Sequence, residues 1–238
     1  MSERPILFST PMIQALLAGR KTVTRRAVKF PHQNPLGVWE PSTFGGPGLR
    51  DRRGEEIAEQ PCMWHTREGT TILCPHGARG DSLWVRETWQ HATQRLCSCP
   101  QPSEASPCDD WSNGTGCRSN RGEVVYAADG PSAPRWRPSI FMPRWASRII
   151  LRITDVRVER LQSISEADAK AEGVQIRDTI YPDEPRSDYS YVEQYRLLWD
   201  SINGDGAWQA NPYVWVVSFE RVATKLRQRV EEEKEMEA

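Results

Sequence analysis

Apolar residues in this chain fall into short patterned stretches set between long polar ones. Pro5-Ile-Leu-Phe8 predicts a first strand. Ser9 or Thr10 can cap a helix with Pro11 at its first position, and Met12, Ala15, Leu16 and Gly19 would line one side of it. After the turn pair Gly80-Asp81 a strand is predicted over 83–89, with Leu83, Val85, Glu87 and Trp89 on one face and Trp84, Arg86 and Thr88 on the other. The longest strand pattern runs from Arg148 to Arg160. Its apolar positions change parity, odd at Ile149, Leu151 and Ile153, then even at Val156 and Val158. A bulge or sharp bend between Ile153 and Val156 is the expected cause, since one extra residue flips every later side chain to the other face. Ser165-Glu-Ala-Asp168 reads as a capping box for a short helix that stops at Gly173, and Ser190-Tyr-Val-Glu193 as a second box. Val192, Tyr195, Leu198, Trp199 and Ile202 keep helical spacing up to Asn203-Gly204. Tyr213, Trp215, Val217 and Phe219 alternate on a last strand.

Two segments interrupt this order. Residues 31–79 read as a loop-rich insertion that contributes little to the core, with a hairpin between Met63-Trp64 and Thr71–Leu73. Residues 92–138 read as a second insertion, holding four cysteines, Asn113-Gly114 and a short strand at Val124–Ala127. Residues 223–238 form a charged tail, expected to be helical or disordered. Strand, helix, strands, two short helices and a final strand argue for an α+β fold, and the change of parity favours a curled sheet or barrel.

Composition narrows the function classes only slightly. The net charge is −1, which gives no global attraction to nucleic acid or to a membrane surface. Local balance differs: seven arginines lie between Arg135 and Arg160, and five glutamates between Glu231 and Ala238. The ten tryptophans are expected mainly in the core, with base stacking as the other use of an indole ring. No apolar run approaches a membrane span and the first residues lack a signal-peptide core, so a cytoplasmic protein with no membrane partner is expected. Cysteines in that compartment stay reduced or bind metal. Cys97, Cys99, Cys108 and Cys117 are candidate ligands for a structural zinc, with Cys62, His65, Cys74 and His76 as a second set; free thiols are the alternative.

The densest chemistry follows the first helix. Every residue from Arg20 to Arg26 except Val23 carries a cation or a hydroxyl. Composition alone reads this run as a solvated basic helix end, with cations complementing the helix dipole. A threonine hydroxyl with a lysine of lowered pKa is the functional alternative: the neutral amine takes the hydroxyl proton, and a carboxylate orders the pair or shuttles the proton. In an extended chain Lys21 and Thr24 point opposite ways, so they meet only if the chain turns between them.

Gly19-Arg20-Lys21-Thr22-x-Thr24-x-Arg26 resembles the signature of the ASCH domain family, relatives of the PUA domains of RNA-modification proteins. The longer wording around it resembles the phage and prophage branch. Gly80-Asp-Ser-Leu-Trp-Val-Arg-Glu-Thr-Trp89, Phe141-Met-Pro-Arg-Trp-Ala-Ser-Arg148, Ser165 to Gly173, and Trp199 to Val217 carry the likeness further. The resemblance covers residues 5 to about 222 in family order. It implies one domain over 1–222: a PUA-like mixed β-barrel with short helices at its rim and two loop-rich insertions.

For function, the resemblance to small ASCH amidohydrolases implies removal of an acyl group from a modified nucleoside such as N4-acetylcytidine. Lys21, Thr24 and Glu172 would be the catalytic set, and no cofactor would be required for catalysis; Glu87, which shares a strand face with Leu83 and Val85, is the rival carboxylate. Arg20, Arg25, Arg26, Arg86 and Trp84 would hold the nucleoside or RNA. The alternative is a non-catalytic module in which the cations grip phosphates while Trp84, Trp89 or Trp145 stacks a splayed base.

Overall fold

The computed structural model describes residues 2–91, 124–130, 136–175 and 190–222. Among the described residues the fold is α+β, with three short α-helices and sheets of five, three and two strands. The largest sheet contains β1 (Glu3–Leu7), β2 (Val23–Ala27), β6 (Ser82–Arg86), β9 (Ile150–Arg160) and β10 (Tyr213–Val222), in the order β1-β6-β9-β10-β2. That order does not close on itself among the described residues. The helices are α1 (Thr10–Leu17), α2 (Glu166–Ala171) and α3 (Tyr191–Asn203). No helix among the described residues is long and apolar enough to cross a membrane.

The described chain divides into two compact units. The first holds residues 2–4, 15–83, 150–175 and 190–222; the second holds 5–14, 84–91, 124–130 and 136–149.

In the first unit, β10 lies antiparallel between β9 and β2. Val214, Trp215, Val216 and Val217 are all buried, as a central strand covered on both faces requires. The change of parity in β9 has the expected cause. Ser218 pairs with Asp155 but Phe219 pairs with Ile153, so Thr154 is the extra residue, and Ile153 and Val156 are both buried. One face of this sheet carries Val23, Val214 and Val216, against which Leu161, Ala169, Tyr195, Trp199 and Trp208 pack. Both serine N-caps form: the Ser165 hydroxyl accepts from Asp168 N, and the Ser190 hydroxyl from Glu193 N. Gly204 follows α3, as its sequence predicts.

Residues 39–73 also belong to this unit and build the three-stranded sheet of β3 (Trp39–Phe44), β4 (Gln60–His65) and β5 (Thr71–Leu73). The expected hairpin is present, pairing Met63 with Ile72 and Trp64 with Thr71. The segment gives more to the core than its composition suggests, because Cys62, Met63, His65 and Cys74 are all buried. Cys62 and Met63, consecutive in β4, point to opposite faces, so both faces of the strand are covered there.

In the second unit, Trp84 to Trp89 shows the predicted alternation, with Val85, Glu87 and Trp89 buried and Trp84, Arg86 and Thr88 half-buried. The strand is shorter than expected: β6 stops at Arg86, and a separate strand β7 (Trp89–His91) pairs with β8 (Val124–Tyr126). Trp89, Met142 and Ala146 form a small core here.

Candidate functional site

The site in the first unit begins where α1 ends. Gly19 takes φ +72°, the left-handed conformation expected after a helix. Gly19 N then donates to Leu16 O, while Arg20 N and Lys21 N both donate to Ala15 O. The chain turns sharply and enters β2 at Val23. Thr22 N donates to Ala171 O at 2.9 Å, which ties this turn to the end of α2. Gly173, just past α2, has φ +86°, and a Cβ there would lie 2.7 Å from Ala15 Cβ and 3.0 Å from Lys21 Cβ. Gly173→Ala is therefore expected to destabilise the protein by on the order of 2 kcal/mol, combining left-handed strain with overpacking. Thermal unfolding measures this, and an unchanged Tm would contradict the close approach.

The run from Arg20 to Arg26 is not a solvated helix end. Lys21, Thr24 and Arg25 are buried, with 2%, 3% and 4% of their surface exposed. Lys21 Nζ donates to Glu172 Oε2 at 2.7 Å, and to the carbonyl oxygens of Glu172 and Val23, both at 2.9 Å. Glu172 is itself 3% exposed, not a solvated residue of the last helical turn. Burial pulls the Lys21 amine below the ordinary lysine value of 10.5; Glu172 opposes this, and Arg26 and Arg25 add to it.

Arg25 extends the charged cluster. It lies 2.8 Å from Asp168, 3.4 Å from Glu159 and 3.6 Å from Glu172 Oε1. Arg157 closes the far side against Glu159 at 2.5 Å and Asp168 at 3.1 Å. Lys21, Arg25 and Arg157 thus face Glu159, Asp168 and Glu172, a balance that offsets much of the desolvation cost. Glu172 Oε1 and Arg25 Nη1 are buried without a hydrogen-bond partner in the structure and stop just short of bonding each other. Glu172 Oε2 is fixed on Lys21, and Arg25, 3.6 Å from Oε1, and the Tyr195 hydroxyl crowd the same carboxylate.

Asp168 was not singled out as a functional residue from the sequence, although its spacing held the signal. Residues four apart share a helix face, so Asp168 and Glu172 present two carboxylates to the same side. Tyr195, one of the helically spaced positions of α3, is buried beside this cluster. Burial raises its hydroxyl pKa, and the negative charge of Glu172 raises it further.

Thr24 lies in β2 opposite Val217, with Arg26 on the same strand face and Val23 and Arg25 on the other. The bond from Lys21 Nζ to Val23 O brings the amine close to Thr24. Standard peptide geometry puts that carbonyl oxygen about 3 Å from Thr24 Cα, and so the amine within about 6 Å of it. Arg20 is exposed, with Nη1 3.5 Å from Gly173 O. A recess of about 330 Å³ is lined by Lys21 and Thr22 together with Leu16, Phe219, Glu220 and Arg221.

Glu87, Trp84 and Arg86 belong to the second unit. Glu87 is 1% exposed and is held by Arg148, with Nε to Oε1 and Nη2 to Oε2 both at 2.9 Å. Arg148 also reaches Asp129 at 2.6 Å and lies 3.8 Å over the Tyr126 ring. The rival carboxylate thus has a cation of its own. Arg86 donates to Met142 O and lies over Trp84 at 4.9 Å.

Comparison with family models, characterised proteins and solved structures gives no match.

Cys97, Cys99, Cys108 and Cys117 lie outside the described residues. Among the described residues no group of three or more histidines, cysteines and carboxylates is placed to hold a metal ion. The set Cys62, His65, Cys74 and His76 therefore does not converge: Cys62 and Cys74 are free buried thiols, and the His65 ring packs on Trp39 and His32 instead.

Proposed function

We propose that this chain is an ASCH-type hydrolase that removes an acyl group from a modified nucleoside such as N4-acetylcytidine, using Lys21, Thr24 and Glu172. One observation carries the reading. The lysine and the glutamate named by the family resemblance lie 151 residues apart in sequence, yet meet at 2.7 Å in a buried pair. A PUA-like barrel over 1–222 remains the fold reading that goes with it. The bulge at Thr154 and the antiparallel run β9-β10-β2 support it, because both curl a sheet.

In this reading Lys21 passes its extra proton to Glu172 and becomes a neutral amine. Its lowered pKa favours that transfer. The amine takes the Thr24 hydroxyl proton as the threonine oxygen attacks the acyl carbon, and an acyl–threonine ester forms. The glutamic acid returns its proton to the nitrogen of the departing base. Water then cleaves the ester by the reverse use of the same groups, releasing the carboxylic acid. An amine, a hydroxyl and a carboxyl suffice for each step, so the proposed chemistry calls on no cofactor.

The test is incubation with a panel of N-acylated nucleosides, followed by mass spectrometry over a pH series. Deacylation of an acylated cytidine is expected. Its rate should fall as pH rises through the Lys21 pKa, because the pair then lacks the proton that Glu172 must return to the departing nitrogen, and that inflexion should lie below 10.5. No deacylation of any substrate in the panel at any pH would overturn the proposal.

A further inference from the structure

Arg25 is placed to act on Glu172 from inside the protein. Its side chain is 0% exposed and lies among three carboxylates of the first unit. Both short contacts fall on one nitrogen: Nη2 donates to Asp168 Oδ2 at 2.8 Å and to Glu159 Oε2 at 3.4 Å. Nη1 stops 3.6 Å from Glu172 Oε1. A guanidinium is planar and rigid, so the hold on Nη2 also sets where Nη1 can go. A swing of about 0.5 Å would bring Nη1 into hydrogen-bond range of Glu172.

Asp168 is the fixed end of this arrangement. It stands in the first turn of α2, where a carboxylate complements the helix dipole, and its backbone N donates to the Ser165 hydroxyl at 3.1 Å. Arg157 holds it from the other side, with Nη2 3.1 Å from the same Oδ2. Arg157 also bonds Glu159, so neither acid depends on Arg25 for its place. Glu172, one helical turn beyond Asp168, is bonded to Lys21. The other groups facing this pair are Arg26 on β2 and the Tyr195 hydroxyl on α3. A carboxylate bonded by one cation takes up a proton more readily than one shared by two. Were Nη1 to close on Oε1, Glu172 would be shared, and the proton of Lys21 would have no good acceptor.

We infer that Asp168 is a positioning residue: it draws the Arg25 guanidinium away from Glu172 and so reserves that carboxylate for Lys21. Its effect on turnover rests on the proposed deacylation; its effect on the charge of Lys21 does not.

The test is Asp168→Asn, which keeps the size of the side chain and removes its charge, with Asp168→Ser as a second neutral variant and melting curves to show that each is folded. Carbon NMR of isotope-labelled lysines reads Lys21 directly; the chain has five lysines, and Lys21→Met identifies the signal. Arg26 and Arg25 already pull the Lys21 amine down. In either neutral variant the released Arg25 should pull further, so Lys21 should lose its proton at lower pH than in the wild type. Asp168→Glu, which keeps the charge, should restore the wild-type titration. In an Arg25→Gln background, adding Asp168→Asn should move the titration no further. With an acylated cytidine as substrate, kcat of Asp168→Asn should fall about tenfold with KM unchanged, since the change reaches the reacting groups only through Arg25. An unmoved Lys21 titration in the folded neutral variants would overturn the inference, and so would an equal shift in the Arg25→Gln background, which would show Asp168 acting on Lys21 without Arg25. A wild type that deacylates nothing, with the titration shifting as expected, would sink the proposed reaction and support this inference.

Discussion

Replacing Lys21 by alanine is expected to remove turnover and also about 3–5 kcal/mol of stability. The first effect follows from loss of the base that the proposed chemistry requires, and Thr24→Ala should share it. Because base and nucleophile act as a unit, the double variant should be little slower than either single one. The second effect is electrostatic. Lys21 and Glu172 are buried against each other at 2.7 Å, so truncating the lysine leaves the interior carboxylate with only the longer contact to Arg25 at 3.6 Å. A pair of apolar residues of similar size should be far less harmful: Lys21→Met with Glu172→Leu is expected to recover most of the stability while remaining inactive. Denaturant unfolding of the three proteins measures this. If Lys21→Ala proves as stable as wild type, the buried pair described here is wrong.

Arg148→Ala is expected to cost a similar amount, about 3–5 kcal/mol, for the same reason in a different place. Glu87 would lose both of its hydrogen bonds to the guanidinium while staying enclosed. Burial already raises the Glu87 pKa above the ordinary carboxylate value, against the pull of Arg148. Without that pull it rises further. A raised folded-state pKa means that proton uptake favours the folded form, so stability is present at low pH and is lost as pH rises through the folded pKa. The deficit of Arg148→Ala should therefore shrink in mildly acidic buffer and grow toward neutral pH. A deficit that stayed constant across that range would show that Arg148 stabilises through packing on Tyr126 rather than through Glu87.

These two pairs also mark what the sequence could and could not reveal. Local signals were legible wherever one residue type has one local use. The two serine caps, the left-handed Gly19 and the stop at Gly204 all follow from backbone hydrogen bonding. The bulge at Thr154 was legible because a strand has a strict period of two, and an inserted residue must shift the parity of everything after it. The core role of Cys62, Met63 and His65 was not legible, since few apolar residues surround them and only the pairing of β4 with its neighbours turns them inward. Nor could spacing join Lys21 to Glu172. Their contact depends on the long-range pairing of β2 with β10 and on the seating of α2, and only the family likeness pointed to it. Strand alternation with Leu83 and Val85 left Glu87 as a rival, which the Arg148 contact makes less suited to pair with a second cation.

One feature of the first unit bears on how the chain is made. β2 is at one end of its sheet and pairs with β10, so residues 23–27 find their strand partner only at 214–218. On a ribosome adding about 5–20 residues per second, the two strands emerge roughly 10–40 seconds apart. During that interval the valine, threonine and arginines of β2 have been synthesised, but the strand that completes their hydrogen bonds has not. The unit can close only after residue 218 is out. Premature release or truncation before residue 213 would therefore leave β2 without its ladder, and such fragments should be targets for chaperones or proteases rather than partly working proteins.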